Sequence, residues 1–440
     1  MGATRDIAEF AVKTHFEDLP GEVVHETKRD IINVLAVSIY SARDLSLQYL
    51  LDMFNEEGSR PRATVWGANA RTGLGNAALA NGYTAHLEDY DDTHFPTVAH
   101  PTAPTLPAAL AIGEDRGASG RELIAAVALG VETVCRTSLS VHPWHYDLGW
   151  HITGTMGVFG GAIAAAKVLG LDVDGTVGAL GAAGTQAAGV REAFGTMTKP
   201  MHAGRAAQAG VVSALLAQKG FTAATTILEG RRGVMEVMSN KHDLSRLTDG
   251  LGERWEIFNN GLKPYSCGVV SHPAIDAAIA LHWNPAFDPG AVESIEADVH
   301  HLVPELMGRM EPDVGLAGKF SCAHCISVGL VDGAAYPAQF ADAKVLDPLL
   351  TDLRRKVKFN VIDGMGEDQV ELRLTMKDGS VLTHRVEHAT GSPENPLSDE
   401  RLEEKFMTLA PETLGEAGAK ELLARLWHLE DEPNVSGLVP

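Results

Sequence analysis
The sequence predicts a mainly α protein with an α+β insertion, a large all-helical domain carrying a smaller α+β domain, and three observations predict it. Helical periodicity dominates up to about Leu262, a run of period-two segments follows between Val292 and His388, and a charged, helix-favouring pattern returns from Ser398. A chain of 440 residues also exceeds a single core of ordinary size. The helical domain is therefore expected at 1–263 with 399–440, and the α+β domain at 264–398.

In chain order, Ile7 to His15 and Glu22 to Leu45 read as amphipathic helices, the second with a wide apolar face that includes Ile31, Ile32, Val34, Leu35, Val37 and Ile39. A loop rich in Gly, Arg and Pro covers Glu56 to Arg62, and Thr64 to Trp66 reads as a buried anchor. A helix from Asn76 to Ala85 frays into NGYTAHLEDYDDTHFPTVAHP, residues 81–101, where Pro96 and Pro101 forbid one continuous helix. Thr105 to Glu114 is expected as a helix with Pro107 in its first turn. Ser119 is a good N-cap for a helix from Arg121 to about Leu139. Small residues make Thr155 to Gly170 and Gly175 to Val190 helices for the middle of a bundle, and residues 195–210 lead into another with Lys199, His202 and Arg205 near its start. In the second domain Val292 to Val299, Val357 to Ile362, Val370 to Met376 and Val381 to His388 alternate as strands, with Lys377-Asp378-Gly379 turning the last pair. Ser271 to Leu281 and Phe320 to Asp332 are helices among them.

The formal net charge of -22 argues against nucleic acid and anionic membrane as partners, so a pocket for an anion has to be a local basic exception. The N-terminus lacks an apolar signal region, and runs such as Met156 to Leu171 are long enough only for core helices. Four cysteines in a chain this long make no disulfide framework, so a cytoplasmic setting is expected.

Four groupings mix proton carriers with cations or hydroxyls near helix ends: Asp89/Thr93/His100, Tyr146/His151, Lys199/His202, and Lys263 with His272 and His324. Each taken alone also fits a solvated loop or a satisfied core histidine. A metal centre is not expected. HExxH and EF-hand patterns are missing, and Cys322 and Cys325 form one isolated CxxC on a helix, more in keeping with core. Neither a P-loop nor a GxGxxG after a strand occurs, so no nucleotide cofactor is expected. A cofactor-free acid/base site fits better. Removing a proton beside a carboxylate requires cations for the developing enolate and a base poised near neutrality, and lysines with histidines supply both. Asp89 is suited to fix an imidazole tautomer.

The blocks HLEDYDDTHFPTVAHP, GWHITGTMG, GTMTKPMHAGRAAQAG, LKPYSCGVVSHPAID and KFSCAHCISVGLVDG, in this order, resemble the MmgE/PrpD family, which includes 2-methylcitrate dehydratase, cis-aconitate decarboxylase and iminodisuccinate epimerase. The resemblance spans nearly the whole chain. It implies a helical domain, an α+β lid, a homodimer, no metal or organic cofactor, and a site in the cleft between domains. Matched block by block, it implies a decarboxylase-type site of Asp89, Thr93, His100, His151, Lys199 and Lys263. His324 stands where the decarboxylases' FSxxY block has Tyr, and the interval from His86 to His100 is one residue longer. Tyr146 resembles the tyrosine that faces the equivalent of Lys199 in the epimerase.

The expectation is proton abstraction next to a carboxylate on a small di- or tricarboxylate. An iminodisuccinate-epimerase-like isomerase leads, with Tyr146 and Lys199 as the two bases and His151, Asp89 and His100 in the catalytic set; Thr93, His202, Lys263, His272 and His324 are assigned to substrate. A methylcitrate-dehydratase-like hydro-lyase is the alternative, followed by a decarboxylase. Outside the family stand a metal-dependent hydrolase built on Asp89, Asp92, His94 and His100, and a non-catalytic carboxylate-binding dimer.

Overall fold
The computed structural model describes residues 2–440. The protein is mainly α with an α+β part. Its larger core is built from the helices Ala3–Lys13, Gly21–Ser41, Leu74–Leu87, Thr102–Arg116, Gly120–Val141, Ile152–Val168, Val173–Gly184 and Thr198–Gln218, and is completed by Asp399–Leu409 and Pro411–Trp427 from the end of the chain. Ser119 caps Gly120–Val141 in a reciprocal box with Glu122. Among the described residues this is the one helix long and apolar enough to cross a membrane, and 94% of its apolar window is buried inside the protein.

Two helices meet at their backbones. A Cβ placed on Gly82 would lie 2.8 Å from Cα of Gly204, and one on Gly204 would lie 2.3 Å from the Leu79 carbonyl oxygen. Only glycine permits this approach. The contact joins Leu74–Leu87, which carries His86, to Thr198–Gln218, which carries Lys199.

The second core spans Tyr265 to Met376, over a four-stranded sheet ordered Val357–Val361, Val292–Val299, Val370–Met376, Val381–Val386. The first pair is parallel and the others antiparallel. Val370, Leu372, Leu374 and Met376 face inward by strict alternation, the helix His272–His282 packs on the sheet, and Cys322–Asp332 packs against that helix. Cys322 and Cys325 are buried, free thiols.

Three expectations differ from what is found. Leu45–Glu57 forms a helix of its own, and it leaves Leu45, Tyr49 and Met53 exposed. The helix around Pro107 starts earlier, at Thr102, so Pro107 sits inside it rather than in its first turn. The early start has a long-range cause: the Asp92 carboxylate accepts from the Thr102 backbone N–H at 3.1 Å and from its hydroxyl at 2.7 Å, capping the helix from another segment. The run Gly175 to Val190 is helical only to Gly184.

Candidate active site
The acidic run leaves the helix at Leu87, and Asp89 turns it with a left-handed φ of 50°. Asp92–His94 then forms a short antiparallel ladder with Asn260–Leu262, pairing Asp92 with Leu262 and His94 with Asn260. This ladder brings Lys263, the next residue, back to Asp89. The Lys263 ammonium donates to Asp89 Oδ1 at 2.8 Å and to its carbonyl at 3.0 Å, while Lys199, in the first turn of its helix, donates to the same Oδ1 at 2.7 Å. All three side chains are at most 5% exposed.

One carboxylate thus serves two buried ammonium groups. Burial alone would raise the Asp89 pKa, but Lys199 and Lys263 outweigh it and hold the group well below the usual carboxylate range. Lys199 is pushed down by burial, and by Lys263, against the pull of Asp89. Its place at a helix N-terminus works in the same direction. On the cavity wall, where Asp89 faces Lys199 and Lys263, the surplus of one positive charge is the local basic exception that the acidic sequence requires.

These groups open into a small cavity of about 40 Å³ whose wall includes Asp89, Thr93, His100, Tyr146, His151, Lys199 and Lys263 from the helical side. The small domain closes it with Gly268, Val269, Val270, Leu306, Met307 and Phe320. Val98, also on the wall, has φ of 53°, a strained conformation for a β-branched residue.

The imidazoles are fixed by their surroundings. His100 Nδ1 lies 2.7 Å from the Asp92 carbonyl oxygen, which only accepts; Nδ1 therefore carries the hydrogen and Nε2 keeps its lone pair. Thr93 Oγ1 is 3.3 Å from the same nitrogen. His151 occupies the N-cap position of Ile152–Val168, with Nδ1 2.9 Å from His202 Nδ1. Burial first, and then the Lys199 charge, keeps His151 neutral, and burial does the same for His100. Tyr146, on the short helix Trp144–Asp147, lies under the Arg191 guanidinium at 4.3 Å, and burial raises its pKa. Arg191 also donates to Glu305 of the small domain at 2.7 Å.

The groupings read from sequence converge in part. Asp89, Thr93, His100, Tyr146, His151, Lys199 and Lys263 share the cavity wall. His202 lies behind His151, His272 packs edge-on against Tyr265, and His324 is bonded to the Gln339 carbonyl at 2.9 Å and to Arg354 at 3.2 Å. None of these three is on the wall. The four residues of the hydrolase alternative do not meet, because Asp92 turns to Thr102 and Asn260, and His94 to Thr97 and Glu256. Ring nitrogens of His86, His100 and His151 do lie within 4.8 Å of one another, and Asp89 and Asp91 form an overlapping set with two of them. Lys199 and Lys263 would oppose a divalent cation at either.

Two lysines that no spacing pattern marks hold the site's backbone. Lys405, from the returning helix, donates to Asn33 Oδ1 at 2.7 Å, the Tyr90 carbonyl at 2.6 Å and the Lys263 carbonyl at 2.8 Å. Lys319 of the small domain donates to Glu88 Oε2 at 2.6 Å and to its carbonyl at 2.9 Å, next to Asp89.

Comparison with known proteins agrees with this layout. The MmgE/PrpD N-terminal domain model matches residues 5–247 and the C-terminal domain model residues 265–429. Similar curated proteins include the cis-aconitate decarboxylase of Aspergillus terreus, 28% identical over 100% of this chain and 95% of that protein. Those of Mus musculus (27%, over 94% of this chain and 88% of that protein) and Homo sapiens (25%, over 96% and 90%) are similar too. With both domain models in order along nearly the whole length, the chain belongs to the MmgE/PrpD family of lyases and isomerases.

Proposed function
We propose that this protein removes the proton next to a carboxylate of a small di- or tricarboxylate, without a metal or organic cofactor, and that it acts as an epimerase. The observation that carries the reading is the pair of ammonium groups on Asp89, set in the same cavity as Tyr146 and the neutral imidazoles of His100 and His151. The cations bind substrate carboxylate and stabilise the enolate that deprotonation creates. Lys199 and Tyr146 are the two bases. Lys199 has to release the proton it donates to Asp89 before it can accept one, which burial and the Lys263 charge favour, while burial keeps Tyr146 protonated; a turnover then starts with Tyr146 as proton donor and Lys199 as acceptor, and Lys263 remains the cation.

A second reading, elimination by a dehydratase or decarboxylase, is supported by the names of the relatives and by the six wall residues from Asp89 to Lys263 that match the decarboxylase pattern implied by the resemblance. Against the decarboxylase stands His324, which is turned to Gln339 and Arg354 where those enzymes are expected to present Tyr. The proposal includes a cytoplasmic homodimer, in keeping with four free cysteines. NMR of the protein with a panel of di- and tricarboxylates in deuterium oxide tests it. Exchange at a carbon next to a carboxylate, with inversion and no second product, is expected in protein dialysed against chelator; loss of water or carbon dioxide as the sole outcome establishes the second reading, and no exchange with any acid overturns both.

A further inference from the structure
Behind the wall made by His100 and His151 is a third imidazole, His86, that touches no part of the cavity surface. Its Nδ1 lies 2.8 Å from Asp91 Oδ2, and both side chains are 0% exposed. Asp91 is held ionised: burial raises its pKa, but His86 and His100 bring it well below the usual range. An ionised carboxylate only accepts, so Nδ1 of His86 carries the hydrogen and Nε2 keeps a lone pair. That Nε2 is buried without a hydrogen-bond partner among the described residues. Such an atom is costly to leave idle.

The surroundings show what it can receive. The His86 ring centroid is 4.5 Å from that of His100 and 5.7 Å from that of His151, and a ring nitrogen of each lies within 4.8 Å of the other two. One hydrogen-bonded bridge spans such a gap. A divalent cation there would meet the Lys199 and Lys263 charges; a single proton meets the Asp91 carboxylate, against burial and the Lys199 charge that lower the His86 pKa, so it is held in transit rather than at rest. A buried base also has a problem that its chemistry creates. After each turnover the donor and acceptor in the cavity have exchanged protonation states, and a site closed by the small domain has to reset them internally.

We propose that His86 and Asp91 form a proton-holding dyad for the cavity, an inference that rests on the proton-abstraction reading above. The C–H bond breaks with its electron pair left on the substrate, and the proton taken by the cavity base passes through His100 or His151 to Nε2 of His86. An imidazolium forms there against the Asp91 carboxylate. The proton returns by the same route to the cavity donor, so no oxidant or co-reactant is consumed. His86 carries the proton; Asp91 is a positioning residue that fixes its tautomer.

The test uses the full-length protein, its exchange substrate, and the variants His86→Ala and Asp91→Asn. A reset step follows the first bond cleavage, so kcat should fall at least ~10-fold while kcat/KM stays within ~3-fold. Imidazole added to His86→Ala should restore kcat, and Asp91→Asn should decrease the fraction of protium carried into product in deuterium oxide, because the donor is then reloaded from solvent. A parallel fall of kcat and kcat/KM, with no imidazole rescue and an unchanged protium return, overturns the dyad. Asp91→Asn is isosteric and decides the matter even where His86→Ala does not fold. Failure of the wild-type protein to exchange any α-proton overturns the proposed function and the dyad with it; exchange in the wild type with variants that fail as described overturns the dyad alone.

Discussion

Replacing Asp89 by Asn removes one negative charge and strands two positive ones. Asn is the informative choice, because it tolerates the left-handed φ of 50° and keeps the side-chain shape, so any loss is electrostatic rather than conformational. Breaking a buried ion pair by deleting one partner costs about 3–5 kcal/mol. For a cooperative unit of roughly 300 residues, at about 2.1 cal/mol/K of unfolding entropy each, that is a fall of ~5–8 °C in melting temperature. Adding Lys199→Met removes one stranded charge and should recover at least ~1 kcal/mol. The pH dependence has a definite sign. In the wild type, Asp89 has a folded pKa well below its ordinary 3.8, so its contribution is full above 3.8 and is lost only as the pH falls toward the folded value. In the variant the stranded Lys199 has a folded pKa further below its ordinary 10.5 than it has already. Native protein then sheds protons before unfolded protein does, and the deficit narrows as the pH rises toward 10.5. Differential scanning fluorimetry across pH 5–10 measures all of this. A variant that melts within about 1 °C of the wild type at pH 7 means that the lysines are not held charged by Asp89, and the electrostatic account of the cavity fails.

If Tyr146 and Lys199 flank the reacting carbon, Tyr146→Phe should block deprotonation of one enantiomer and Lys199→Ala that of the other, as seen by NMR exchange; a Tyr146→Phe protein with every reaction intact removes the epimerase reading. Lys263→Ala should weaken substrate binding by calorimetry far more than Lys377→Ala, which alters a lysine at the distant hairpin turn; equal effects count against the cleft. Ligand should slow hydrogen exchange on both sides of the cavity, and Lys319→Met, which cuts the tie to Glu88, should speed it in the unliganded protein; no change in either argues for a rigid site. The small-residue helix Ile152–Val168 is covered within the chain, so the expected dimer has to form elsewhere, with exposed Met201 and Val212 on Thr198–Gln218 as candidates; sedimentation as a stable monomer at micromolar concentration excludes it.

Where local chemistry decides structure, the sequence was legible. The Ser119 N-cap, the alternation of Val370 to Met376 and the turn at Lys377 to Gly379 needed no distant partner. The early start of the Thr102 helix did, because its cap is Asp92. Leu45–Glu57 escaped notice because its apolar residues point outward as well as inward. In the site, residue type and clustering identified Asp89, His100, Tyr146, His151, Lys199 and Lys263. Direction was beyond that reasoning: His272 and His324 share the chemistry of the wall residues but their side chains are taken by Tyr265 and by Gln339 with Arg354. His86 and Asp91 stand in the acidic run of residues 81–101 with no role legible from sequence, since only the fold shows which nitrogen is left over. Lys405 lies in an ordinary charged helix, and its three carbonyl and amide acceptors come from three remote segments.

The contact of Gly82 with Gly204 bears on how such an enzyme can change its substrate. Backbone resting on backbone leaves no compressible side chain between the helix of His86 and the helix of Lys199, so the spacing of the charges works as a fixed gauge. Variation among core leucines and valines has little leverage on that gauge, whereas Gly82→Ala would reset it at once. The opposite wall is made of side chains, Val269, Leu306, Met307 and Phe320, which tolerate volume-conserving exchange far better than a backbone contact does. New specificity is therefore expected to accumulate on the small-domain side, with the proton chemistry carried along unaltered on the helical one.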